Sequence, residues 1–389
     1  MSKNTLPTIH QEFKVRYTYQ LHFTQHLFAV ENPLFKNVLA EYRPNHPIKC
    51  LFVVDQGVLD HHPHLGKEIE EYCNHFKEHI QFTILIAVPG GEESKKDQSS
   101  VEKCLEAINE NAICRHSFVV AIGGGAVVDM VGYAATIAHR GVKLIRIPTT
   151  VLAQNDAAVG VKNSVNAFGK KNFLGTFSVP YAIINDLEFL NTLEQRDWVA
   201  GIAEAIKVAL IKDKQFFEYI ESNAEALANR EMEPMAYLIH RCAELHMEHI
   251  AEGGDPFESG SSRPLDFGHW SAHKLEYMTA YSLRHGEAVA IGMAIDMVYA
   301  SLVGVLQDDL ERVLTVIKKV GFNLEVPFEG DGEIKELLNG IEEFREHLGG
   351  ELTIPLIPKI GTKTDVHSID YSLMEKAVRS FVYKPQNSL

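Results

Sequence analysis

Ser117–Ala138 reads SFVVAIGGGAVVDMVGYAATIA, and the fold turns on it. Ser117–Ile122 is a short apolar run that stops at glycine, as a buried parallel strand does. It passes straight into Gly123-Gly124-Gly125, and a small-residue helix follows. A strand, a glycine turn and a helix N-terminus together suit the pyrophosphate of a dinucleotide. Glycines let backbone N–H groups come close, and the helix dipole favours the negative charge. The triplet is not the G-x-G-x-x-G fingerprint, so a plain tight strand–helix turn fits these residues equally well.

The same alternation continues on both sides. Cys50–Asp55 (CLFVVD), Phe82–Val88 and Val142–Ile147 read as further strands, with helices over Lys67–Ile80 and Glu92–Asn111 between them. VRYTYQLHF, residues 15–23, alternates enough for an edge strand. Strands alternating with helices imply a parallel, doubly wound sheet. Asp55 then stands at a carboxyl strand end, where ligands sit in such sheets. Pro148-Thr149-Thr150 closes the fourth strand in the same way.

From about Asn191 the pattern changes. Amphipathic helical runs take over at Gln195–Ile211, Gln215–Asn229, Met235–Ala251, Glu287–Val305 and Gln307–Val320. The expected organisation is an α/β Rossmann-like domain over residues 1–190 and a mostly α-helical domain over 191–389. Gly253–Ser262 is rich in turn formers, and Leu352–Ile360 suggests a short strand pair.

A length of 389 residues fits two domains, and 46% hydrophobic content is ordinary for a globular chain. A formal net charge of −15 opposes non-specific nucleic-acid binding, which needs a basic face. It does not exclude an anionic small substrate held by local lysines. The five cysteines are scattered without CxxC spacing, as free thiols in a reducing compartment would be. The N-terminal MSKNTLPTIHQEFK has no apolar core and reads as no signal peptide. No apolar run approaches a membrane span. A cytoplasmic location is expected.

Three stretches can carry chemistry. Arg263–Glu287 (RPLDFGHWSAHKLEYMTAYSLRHGE) holds His269, His273 and His285. In a helix, His269 and His273 lie one turn apart, with Cβ atoms about 5–6 Å from each other. Zinc-like metals are held by imidazoles in threes, or by two histidines and a glutamate. Ordinary polar helix positions explain the same histidines. Gly160–Asn172 (GVKNSVNAFGKKN) carries Lys162, Lys170 and Lys171 among small residues. It reads as a phosphate-holding loop or as a solvated basic one. In AGIAEAIK, Glu204 and Lys207 share one face of an apolar helix, and a buried charge there needs a partner or a metal.

The runs HRGVKLIRIPTTVLAQNDAAVGVKNSV, GKKNFLGTF, AGIAEAIK, DFGHWSAHKLE and RHGEAVAIGMA, in this order, resemble 3-dehydroquinate synthase and the related sugar phosphate cyclases. The resemblance implies a bound NAD recycled within each turnover and a divalent metal, zinc or cobalt. It implies oxidation of a ring hydroxyl, elimination of phosphate, re-reduction, ring opening and intramolecular aldol closure. It assigns the metal to Glu204, His269 and His285, moving His273 to the phosphate end of the substrate. It assigns NAD to Asp55, Glu92, Lys95, Gly123, Gly124, Gly125, Asp129, Thr149 and Thr150. It assigns substrate contacts to Asp156, Lys162, Lys171, Asn172 and Lys207. Arg140 resembles an arginine that reaches the phosphate of a neighbouring subunit, which implies a homodimer.

Departures from the family pattern bear on the substrate. His246 stands where dehydroquinate synthases have a lysine. Arg263 is displaced by one residue, and Asp266 replaces an asparagine. A bidentate arginine clamp on a carboxylate does not survive a register shift without compensation, and Asp266 would repel a carboxylate while accepting from hydroxyls. Asp266 and His347 resemble 2-epi-5-epi-valiolone synthases, whereas His273 follows the dehydroquinate synthase pattern. The preferred expectation is a cyclase of sedoheptulose 7-phosphate, on a branch such as 2-epi-valiolone synthase. The alternatives are a 3-dehydroquinate synthase with a rearranged clamp, a metal- and NAD-dependent polyol dehydrogenase, and a silent binding protein.

Overall fold

The computed structural model describes residues 6–168, 170–257 and 264–382. Eight strands form in the first half: β1 (Gln20–Thr24), β2 (Ile48–Asp55), β3 (Ile80–Val88), β4 (Phe118–Gly123), β5 (Lys143–Pro148), β6 (Lys162–Ala167), β7 (Lys170–Phe177) and β8 (Ala182–Asp186). Six make one sheet in the order β1-β8-β5-β4-β2-β3, every pairing parallel. The sheet is buried on both faces, and its side chains alternate accordingly. Cys50, Phe52 and Val54 of β2 face one core with Phe118, Val120 and Ile122 of β4. Leu51 and Val53 face the other with Val119 and Ala121. Near-continuous apolar runs such as CLFVV are what two-sided burial demands.

The opening stretch folds as its residues dictate. β4 ends at Gly123, and Gly124 precedes the helix Gly125–Ile137. A Cβ on Gly123 would meet Val127 at 2.9 Å and Asp55 at 3.1 Å, and one on Gly125 would meet Ala157 at 2.9 Å. The triplet is therefore set by crowding of three segments at one turn. β4 leads to β5 on one side and β2 to β3 on the other, so the winding reverses between β2 and β4. Asp55 and Gly123 flank the crevice at that reversal.

Two expectations need correction here. Gly160–Asn172 is not an open loop. A π-helical turn, Ala153–Ala157, leads into the antiparallel hairpin β6–β7. AIIND, read as no element, is β8, a central strand. Its pattern, an apolar run ending in an acid, repeats that of CLFVVD. The edge strand is present but short, Gln20–Thr24.

After Asp186 the chain is mainly helical around one large core. The expected helix over Gln195–Ile211 is two, Gln195–Ala200 and Ile202–Lys212, parted at Gly201. A Cβ on Gly201 would strike Val151 at 2.5 Å, which brings the second helix against the end of the sheet. The expected helix over Gln215–Asn229 is also two, Lys214–Ser222 and Ala224–Ala228; the other helices described in this half are Met232–Glu252, His269–Met278, His285–Leu302, Leu310–Lys319, Asp331–His347 and Tyr371–Arg379. Ile354–Leu356 (β9) pairs antiparallel with Thr364–Val366 (β10). All five cysteines are free thiols. Among the described residues no helix is long and apolar enough to cross a membrane.

Candidate metal centre and cofactor crevice

Glu204 sits in the first turn of Ile202–Lys212, with no side-chain exposure to speak of. His269 begins the helix His269–Met278 and His285 begins His285–Leu302. Gly268, at φ +77°, makes the turn into His269. A Cβ there would lie 2.7 Å from the backbone nitrogen of Met293, so the two helices touch through glycine and the histidines converge. His269 Nε2 lies 3.8 Å and His285 Nε2 3.6 Å from Glu204 Oε1. Four-coordinate zinc with ligands at about 2.0–2.2 Å separates them by roughly 3.4 Å, close to this spacing. Both imidazoles turn Nδ1 away from the centre. That of His269 is 3.1 Å from the carbonyl oxygen of Phe267, and that of His285 is 3.1 Å from Glu276 Oε2. Metal-ligating histidines present this geometry.

The electrostatics call for a cation. Neither oxygen of Glu204 receives a well-formed hydrogen bond among the described residues, although Lys207 Nζ is in contact with it. Burial would raise the Glu204 carboxyl, but Lys207 and His285 hold it down at about 2. Burial would lower His285, but Glu276 and Glu204 hold it up at about 9. His269 is driven well down by burial and by Lys207. A buried carboxylate whose Oε1 faces two Nε2 atoms within 3.8 Å fits a divalent ion of the zinc type.

Around this centre lie groups assigned to substrate. Lys207 is buried. Burial works against its charge, but Glu204 and Asp156 raise its pKa overall, with Asp266 adding to the effect. Asp156 Oδ1 lies 3.0 Å from His246 Nδ1. The His273 ring is 5.3 Å from that of His269. Lys171, on β7, reaches Glu276 at 2.8 Å and Glu92 at 3.3 Å. Lys162 starts β6. Arg263 lies outside the described residues, as does the side chain of His347, whose backbone ends Asp331–His347.

Residues that the resemblance assigns to NAD lie at the carboxyl edge of the sheet. Asp55 accepts from the N–H of Gly57 at 2.8 Å. Thr149 N–H donates to the Gly123 carbonyl at 3.0 Å. Buried Lys95 reaches Asp129 at 2.6 Å and Asn172 at 3.0 Å. A crevice lined by Asp55, Thr149 and Thr150 also includes Val58, Phe189, Thr192 and Leu193. The last three escaped the sequence reading because β8, which leads into them, did. Arg140 is not brought to this region. It follows the helix Gly125–Ile137 at the opposite, amino ends of the strands, beside Arg115 and His139.

Two more residues were missed. Arg146, fully buried on β5, donates to the carbonyls of Ala158, Gly160 and Lys162 and to Asn163 Oδ1. It holds the chain that carries Asp156 and Lys162. Glu276, 3% exposed, stands seven residues after His269, two turns on along the same helix face; that spacing was the available signal. His273, Glu276 and His285 also form a grouping of metal-ligand type; there His285 presents Nδ1 to Glu276, which also takes the Lys171 ammonium, whereas the Nε2 of His285 faces Glu204.

Models of the 3-dehydroquinate synthase N-terminal and C-terminal regions match residues 85–200 and 201–343. The chain belongs to the 3-dehydroquinate synthase family. Within the family it is 34% identical to a 3-dehydroquinate synthase of Thermodesulfovibrio yellowstonii over 280 residues, 72% of this chain and 77% of that protein. It is 32% identical to one of a Shewanella species over 362 residues, 93% and 96% of the two chains. Among solved structures, a 2-epi-5-epi-valiolone synthase from Streptomyces hygroscopicus subsp. jinggangensis, with NAD+ and Zn2+ bound, aligns with a TM-score of 0.85 at 27% identity. It covers 96% of this chain and 99% of its own. An NADH-dependent butanol dehydrogenase from Thermotoga maritima shares the fold alone, at 14% identity and a TM-score of 0.63 over 96% of this chain and 99% of its own. The family is thus a sugar phosphate cyclase family, and the curated relatives carry the name of the alternative, 3-dehydroquinate synthase, rather than of the preferred branch.

Proposed function

We propose that this chain closes a carbocycle from a seven-carbon sugar 7-phosphate with release of inorganic phosphate and no net redox change. The observation that carries it is the convergence of Glu204, His269 and His285 beside buried Lys207 and the partly exposed Asp156. When bound, NAD would accept and return a hydride, and a divalent ion held by Glu204, His269 and His285 would acidify the hydroxyl being oxidised.

The remaining roles belong to side chains. Lys207 keeps its charge despite burial, so it can hold an oxyanion or orient a hydroxyl. Asp156 is ionised. Burial opposes this, and Glu204 with it, while His246 and Lys207 favour it. It accepts from substrate hydroxyls. Lys162, Lys171 and His273 supply donors for the phosphate. Burial around Glu204 keeps bulk water from the reacting carbons.

The curated relatives support the carboxylated heptulosonate, hence 3-dehydroquinate synthase activity. A specific observation favours a second reading, the hydroxylated sedoheptulose 7-phosphate: Asp266 adds a third carboxylate acting on Lys207, after Glu204 and Asp156, where a substrate carboxylate would be repelled. Both substrates are to be assayed with NAD and Zn2+ or Co2+. The expected result is phosphate release without accumulating NADH. Turnover of the heptulosonate alone establishes the first reading and of sedoheptulose 7-phosphate alone the second, while accumulating NADH would mark a dehydrogenase and end the proposal. His269→Ala is expected to abolish both metal retention and turnover; retention of both would remove the metal assignment.

A further inference from the structure

Glu276 divides its two oxygens between two groups from different halves of the chain. Oε2 lies 3.1 Å from Nδ1 of His285, and Oε1 lies 2.8 Å from Nζ of Lys171. His285 belongs to the helical half, and Lys171 to β7 of the hairpin. The Glu276 side chain is 5% exposed, so water does not replace either partner. We propose that Glu276 is a positioning residue: it fixes His285 with the proton on Nδ1 and Nε2 aimed at Glu204, and through Lys171 it makes metal affinity depend on the hairpin.

The chemistry follows from donor counting. A neutral imidazole that ligates through Nε2 carries its proton on Nδ1 and needs an acceptor there. Lys171 has only donors. A carboxylate offers each donor its own acceptor oxygen, which the amide of glutamine does not. Glutamine offers one oxygen and one NH2. The ammonium, as a charged donor, would take the oxygen and leave the NH2 against Nδ1–H. Hence Glu276→Gln should fail at His285, and removing the competing ammonium as well should free the amide oxygen for the imidazole.

This rests on the metal reading given above, and its test keeps the two apart. The full chain is stripped with chelator, and its Zn2+ affinity is measured by competition with a chromophoric chelator, alongside melting of each metal-free protein. The expected result is about 10- to 100-fold weaker Zn2+ binding in Glu276→Gln, with a partial return in Glu276→Gln/Lys171→Met. Glu276→Asp, which keeps both acceptors on a shorter stem, should fall between wild type and Glu276→Gln, and it serves if the glutamine variant does not fold. A side chain that only supports the fold would lower metal-free melting in all three and give no recovery in the double variant. Wild-type Zn2+ affinity in Glu276→Gln, or a double variant as weak as the single one, overturns the proposal while leaving the metal centre standing. A wild-type chain that holds neither Zn2+ nor Co2+ removes the metal reading and this proposal together.

Discussion

Asp296 accepts from the indole N–H of Trp270 at 2.8 Å and the backbone N–H of Gly268 at 3.0 Å, the two residues on either side of His269. It is fully buried, and burial raises its carboxyl to about 7 against those two hydrogen bonds. For an acid shifted upward, the stabilisation is complete below the unfolded value of 3.8 and is lost as pH rises through about 7. The full swing amounts to roughly 4 kcal/mol. Asp296→Asn has no such titration, so wild type should be the more stable at pH 5 and lose that advantage toward pH 8. Thermal melts of both proteins across this range check it; a constant gap would mean that Asp296 is ionised throughout. The candidate ligands could be picked out in the sequence because Glu204 interrupts an apolar helix and the histidines cluster. Asp296 could not, because it acts on atoms that only the packing of two helices brings within reach; Glu276 had only its helix spacing from His269 to mark it, and its partner Lys171 lies over a hundred residues earlier.

The hairpin β6–β7 shows what short-range pattern loses. Its sequence, KNSVNAFGKKNFLGTF, is lysine- and asparagine-rich with few β-branched residues, so propensity reads a loop. What forms it lies outside it. Arg146 binds the carbonyls of Ala158, Gly160 and Lys162, and Lys95 binds Asn172. Burial lowers the Arg146 guanidinium to about 10, partly offset by Asp129, which leaves it charged at neutral pH. Arg146→Met would strand three carbonyls and Asn163, a loss on the order of 3–5 kcal/mol in chemical denaturation. Arg146→Lys should lose less, having three donors on one centre. Because the same chain carries Asp156 and Lys162, the lysine variant should raise KM more than it lowers kcat. An unchanged KM would separate the anchor from the substrate site.

At the scale of the molecule, the sheet has two ends with different contents. The carboxyl end holds the crevice and leads to the metal-type centre; the amino end holds Arg140, at φ +62°, beside Arg115 and His139. Doubly wound architecture was legible because strands buried on both faces leave continuous apolar runs, and the switch in winding then put Asp55 and the glycines at one crevice. The place of Arg140 was not, since a helix of 13 residues carries the chain from one end of the sheet to the other. If Arg140 serves a phosphate site, that site belongs to a second copy of the chain, and an isologous dimer supplies the arginine reciprocally. Arg140→Ala and His269→Ala would each be inactive alone. Mixed and allowed to exchange subunits, they should recover about a quarter of the wild-type activity, because half the dimers are hybrids and each hybrid contains one site with both residues intact. No recovery after exchange has been verified by mass would show that Arg140 does not act across a subunit interface and leave the cleft of each subunit to work alone.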